Sequence, residues 1–166
     1  MISVFMAGAS LGVPVTVRSS PHAARSVGPR VFRTMTDRAR RAAPTADAHA
    51  VFDCGADPGY ALSAIRHGNR GIRLDPAVAA YPRVAAIARS RGIALDDDPS
   101  PALDLAGMVG PANHADLVAM CRNWLADGGK SCPEAPDPSC QGGGARVSES
   151  HGTVFHGFST TGENGL

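Results

Sequence analysis

The 166-residue chain is poor in aromatic side chains, with one Trp and two Tyr, and it has a single lysine, Lys130, among 16 basic residues. It has no apolar run near the ~20 residues that a transmembrane helix needs, which excludes that way of crossing a membrane. Its four cysteines, at 54, 121, 132 and 140, are too few and too unevenly spaced for a disulfide scaffold. Reduced thiols and a cytoplasmic location are therefore expected. The apolar N-terminus has no positively charged start and is broken by Gly12 and Pro14, so it does not read as a cleaved signal peptide. A net charge of +1 gives bulk electrostatics no reason to expect nucleic acid or a membrane surface as partner. Two nucleotide and acyl-transfer signatures are also missing. There is no nucleophile elbow, and Gly129-Lys130-Ser131 lacks the strand and helix that would make it a phosphate loop.

The length suits one domain with its own core. Gly and Pro, at 19 and 13 residues, exceed ordinary usage, and the excess is placed in the stretch after residue 128, which holds eight of the glycines and where no apolar period is sustained. Such a stretch buries too little apolar surface to offset its ordering entropy, so 128–166 is expected to be a disordered Gly/Ser/Pro-rich tail behind a domain spanning 13–127.

Near the start of the chain two short β-branched segments, Ile2 to Phe5 and Val13 to Val17, compete for the first strand. After Gly28-Pro29, Val31, Phe32, Met35 and Ala39 recur at helical spacing, with Arg30, Arg33, Arg38, Arg40 and Arg41 on the remaining surface. That predicts an amphipathic helix with a basic outer face, which reads as a solvated face rather than as a nucleic-acid or acidic-lipid contact. Ala48 to Phe52 is the strongest strand and ends at Asp53. The next helix has Asp57 as cap and Pro58 at its first position, and Gly68 stops it. Gly71 to Leu74 forms the following strand. The same grammar then predicts a helix capped by Asp75, starting at Pro76, with Val78, Tyr81, Val84, Ala85 and Ala88 as its buried stripe and Ile87 also in the core, ending at Gly92, before a strand at Ile93 to Leu95. Asp96-Asp97-Asp98-Pro99 would cap a short helical turn through Leu103 and Leu105. Asn113 to Leu125 forms a last helix whose Trp124 serves as a core or lid residue rather than a ligand platform. The fold class is α/β: a small three-layer domain with a mainly parallel sheet built on a βαβαβ core, and a disordered C-terminal tail.

Short βα loops bring helix N-terminal amides to the carboxyl edge of a parallel sheet, where ligands are bound. Asp53-Cys54-Gly55-Ala56-Asp57-Pro58-Gly59 is such a loop. Gly55 and Gly59 would allow close backbone approach, and Asp75 ends the next strand 22 residues after Asp53, near the spacing at which an acidic residue meets a ribose hydroxyl. The candidate ligand-binding residues are therefore Asp53, Gly55, Asp57, Gly59 and Asp75. The ligand class is a small anionic or nucleotide-like molecule, with the cofactor, catalytic set and oligomeric state unknown. Glycine in a tight βα turn and Asp-Pro at a helix start also explain these residues without any ligand.

Val51-Phe52-Asp53-Cys54-Gly55-Ala56-Asp57-Pro58-Gly59, followed by Leu74-Asp75-Pro76, resembles the Rossmann-like S-adenosylmethionine-dependent methyltransferases, with Asp57 standing where their loop has its middle glycine. The resemblance implies that Gly55 and Gly59 face the cofactor and Asp75 its ribose, in a truncated or degenerate enzyme. Cys54 lies near a helix N-terminus, a place that can activate a thiol. Neither His49 nor His67 is placed to be its base, so a buried, inert thiol is expected. In the tail, Cys132, Cys140, His151 and His156 have a metal-like look. Seven residues between the cysteines exceed the usual two to four, and no metal site is expected.

Overall fold

The computed structural model describes residues 1–100, 102–105 and 114–128, and the backbone of 152–156. The N-terminal segment is helical, α1 at Ile2–Leu11, closed by Gly12 at a left-handed φ of 67°. The strand competition is thus decided for the later segment, β1 at Val15–Ser19. Helix α2, Pro29–Ala42, has its proline in the first turn and buries Phe32, Thr36 and Ala39. Strand β2, Ala48–Asp53, leads to α3, Pro58–Arg66, then β3, Gly71–Arg73, and α4, Tyr81–Ser90. Two short strands follow, β4 at Ala94–Leu95 and β5 at Ala102–Asp104, then α5 at His114–Ala126 and β6 at Gly152–His156.

The sheet runs β4-β3-β2-β1-β6-β5 and every pairing is parallel. One register row crosses it through Ala94, Gly71, Val51, Arg18, Phe155 and Asp104. The α/β class and the parallel sheet agree with the sequence reading. Strand β6 comes from the stretch read as a tail, and its backbone pairs between β1 and β5. The remaining tail residues, with the Cys132, Cys140 and His151 set, lie outside those described.

The chain steps from β1 to β4 in one direction. Right-handed crossovers then put α2, α3 and α4 on the same face, and α2 touches α3 as α3 touches α4. Helix α1 packs between α2 and α5. Successive strand residues point to opposite faces, so Val15, Val17, Ala50, Phe52 and Ile72 meet these helices in one core. The rings of Phe32 and Phe52 lie 5.0 Å apart there, and Trp124 is buried in the same core as expected. Among the described residues the helices occupy this one face.

Two expected helices differ. Asp75 does not cap α4: its carboxylate accepts from Ala77 N at 2.9 Å in a turn, and the helix begins at Tyr81 after Ala80. The cause is Pro82. In a helix begun at Pro76 it would fall in the interior, where it has no N–H to give and its ring clashes with the preceding turn; at the second position it is tolerated. This start leaves Val84, Ala85 and Ala88 as the buried stripe, and Ile87, turned about 110° from its centre at 100° per residue, is 39% exposed. Ile87 is therefore not a core residue. The turn expected after Asp96 is instead an extended strap ending in β5.

That strap leads from β4 at one edge of the sheet toward β5 at the other. It passes over the face opposite the helices, where Arg18, 2% exposed, holds it. The guanidinium donates to Asp96 Oδ2 and Oδ1 at 2.7 and 3.1 Å and to the carbonyls of Asp98 and Ser100. Arg73 adds bonds to Asp96 Oδ2 and the Asp98 carbonyl, both at 3.1 Å.

Candidate functional site

Parallel strands place all their carboxyl ends on one edge, and here the ends of β1, β2, β3 and β4 surround a cleft of about 320 Å³. Asp53 and Gly55 supply one wall, Asp75 and Tyr81 a second, Asp96 and Asp97 a third, and His22 closes the β1 side. Backbone bonds fix the loops: Cys54 N donates to Arg73 O and Asp75 N to Gly55 O, each at 2.9 Å.

The structure divides the five candidate residues. Asp53, Gly55 and Asp75 line the cleft; Asp57 and Gly59 do not. Asp57 caps α3, its Oδ1 accepting from Gly59 N at 2.7 Å and Tyr60 N at 3.3 Å. Those are the amides an anion would use, so a carboxylate of the chain itself already fills that position. Asp53 Oδ1 likewise accepts from Gly55 N at 2.8 Å and His22 N at 3.0 Å.

Gly55 has a φ of 58°, and a Cβ built there would run into the His22 ring. His22 is itself the one described non-glycine residue with positive φ, at 57°. The glycine is therefore needed by the packing of two loops, and its backbone is covered rather than open for close approach.

Charge at this edge is acidic. Asp53, Asp75 and Asp97 line the cleft beside Asp96, while the cleft's one arginine, Arg73, is bonded to Asp96. The cleft suits hydroxyl or cationic groups better than a bare phosphate. Cys54 is buried, its thiol pushed up to about 12 first by burial and then by the charges of Asp53 and Asp57. A thiol held protonated is a poor nucleophile.

Sequence reasoning missed His22, Arg73, Tyr81 and Asp97. The strand-end rule would have found Asp97, which follows β4, and His22, which follows β1, since loops after parallel strands share one edge. Among the described residues no cluster of His, Cys, Asp or Glu is arranged to hold a metal ion, and no helix is long and apolar enough to cross a membrane. Compared with known proteins, the chain matches no family model and no curated protein.

Proposed function

We propose that this chain is a small-ligand-binding α/β domain whose ligand enters the carboxyl-edge cleft by a hydroxyl-rich or cationic part, as the ribose of a nucleotide-like molecule would. The observation that carries the reading is the convergence of Asp53, Asp75 and Asp97 on one cleft while Asp57 occupies the α3 amides. Carboxylates accept strongly from hydroxyl pairs and ammonium groups and repel phosphate. An anionic part of such a ligand would lie outside the ring of carboxylates.

A methyltransferase-like enzyme is the second reading. It is favoured by one feature: Gly55 and Asp75 line the same cleft, and the cationic sulfonium and ammonium of S-adenosylmethionine suit carboxylates. The capped α3 amides and the His22 ring over Gly55 weigh against it.

Thermal shift against adenosine, S-adenosylmethionine, inorganic phosphate and sugar phosphates decides between them. A ligand at 100 times its Kd stabilises the native state by about 2.7 kcal/mol. Stabilisation by adenosine that Asp75→Ala removes supports the first reading, and a response to S-adenosylmethionine alone supports the second. Stabilisation by phosphate alone contradicts both.

A further inference from the structure

The net charge of +1 conceals a separation of charge. Helices α2, α3 and α4, with the two loops that follow α3 and α4, cover 29–42, 58–70 and 81–92. These contain ten arginines and one carboxylate, Asp37. The carboxyl edge holds Asp53, Asp57, Asp75 and the run Asp96 to Asp98. One side of the molecule is therefore strongly basic and one edge acidic.

The basic side has a defined geometry. Each of the three helices runs against the strands, so their C-terminal ends share the amino edge of the sheet, and each end carries arginine. Arg40 and Arg41 are in the last turn of α2, Arg66 in that of α3 and Arg89 in that of α4, with Arg70 and Arg91 just beyond. Between the ends of α3 and α4, Arg70 and Arg91 line a hollow of about 460 Å³ together with Gly68 and Gly92. Arginine at a helix C-terminus complements the dipole, but that role does not require so many without acidic partners. Among the described residues Arg33 is the only arginine of this set with a carboxylate within ion-pair distance, Asp37 at 2.9 Å. Arg40 is held below its ordinary pKa first by partial burial and then by the charge of Arg70, with Asp37 opposing this and Arg33 adding to it. The arginines of α2 and the α3 loop thus crowd one another.

We infer that this arginine-rich amino edge docks the phosphate backbone of a nucleic-acid duplex without reading its sequence. Neighbouring helix axes lie about 8 to 10 Å apart, so three give a row of about 20 Å. Duplex DNA carries one charge per ~1.7 Å of axis, or about 12 over that length. A single strand is disfavoured because it needs aromatic platforms for its bases. Among the described residues, Phe5, Phe32, Phe52 and Trp124 are buried, and Tyr60 and Tyr81 are partly buried against the core.

The test is fluorescence anisotropy of the full chain with a labelled 20-base-pair DNA of arbitrary sequence, across a KCl series starting at 50 mM. Four to six neutralised phosphates should give a slope of log affinity against log salt of about −4 to −5. The double variant Arg70→Glu/Arg91→Glu should bind at least tenfold more weakly, with a slope shallower by about 2. Arg122→Gln, on the distant α5, should bind as the parent does. Melting curves verify folding, and Arg70→Gln/Arg91→Gln replaces the charge reversal if that variant is unfolded. No binding at 50 mM KCl, or equal affinity in the arginine variants, overturns the inference. So does tighter binding of the single strand. Binding to phosphatidylserine vesicles but not to the duplex would assign the surface to a lipid instead.

Discussion

Arg18, on β1, bonds through Nε and Nη2 to both carboxylate oxygens of Asp96, at 2.7 and 3.1 Å, across 78 positions of sequence. The pair joins a central strand to the strap that crosses the sheet, and it is the anchor of the β4 to β5 connection. Removing one partner of a buried ion pair typically costs about 3 to 5 kcal/mol, because the other charge is left uncompensated. Arg18→Leu should reach that range in urea melts. Arg18→Lys should recover little, since one ammonium cannot serve both oxygens and the strap carbonyls. A loss below ~1 kcal/mol in Arg18→Leu would show that the strap is held by something else.

Acid should loosen the same strap. Partial burial acts to raise the Asp98 carboxyl, but the hydrogen bonds from the Ser100 hydroxyl and amide, with the charges of Arg18 and Arg73, outweigh it and hold Asp98 below the usual carboxylate range. A carboxyl depressed in the folded state contributes stability above its unfolded value of about 3.9 and loses it as pH falls through the lower folded value. Melting temperature should thus drop more steeply below about pH 4 in the parent than in Asp98→Asn. Parallel acid limbs in the two proteins would remove Asp98 from the account.

The core can be tested at two positions that look alike in sequence. Phe52 is fully buried against Phe32 and Ile87 is 39% exposed. Phe52→Ala should cost about 3 to 5 kcal/mol by loss of burial and creation of a cavity. Ile87→Ala, on the flank of α4, should cost under ~1 kcal/mol. Equal losses would mean that α4 is rotated about its axis.

The positions that sequence made legible are those where the local signal and the tertiary environment agree. Asp57-Pro58 at the start of α3, Gly68 at its end and the apolar run to Phe52 each specify their element alone, and the structure keeps all three. Asp53, Gly55 and Asp75 were legible as cleft residues because strand ends in a parallel sheet converge. What escaped depended on distance. Asp75-Pro76 repeats the Asp57-Pro58 grammar, but Pro82 overrides it. The strap needs Arg18, far earlier in the chain, to be extended rather than helical. Strand β6 is five residues in a Gly/Ser-rich stretch, and its place beside β1 rests on a partner more than 130 positions away.

Gly55 and His22 should be energetically coupled. Each holds a left-handed backbone, which costs a residue with a Cβ about 1 to 2 kcal/mol, and the space above Gly55 is filled by the imidazole. Gly55→Ala should therefore destabilise by more than that conformational cost alone. In Gly55→Ala/His22→Gly the clash is gone and the second loop is relieved, so the double variant should lose less than the sum of the two single changes. Simple additivity in a double-mutant cycle would mean that the two loops do not press on each other.

Asp57 decides what the helix end beside the cleft can bind. Its carboxylate takes the Gly59 and Tyr60 amides, so an external anion meets both filled donors and a negative charge. Asp57→Ala removes a helix cap and should cost about 0.5 to 2 kcal/mol in stability. It also returns those amides, with the positive end of the α3 dipole, to solvent. Sulfate or phosphate at millimolar concentration should then raise the melting temperature of Asp57→Ala more than that of the parent, with NaCl at matched ionic strength as the control. A parent that responds to phosphate as strongly as the variant would show that its anion site lies away from α3, and a variant without response would show that the freed amides alone do not make one.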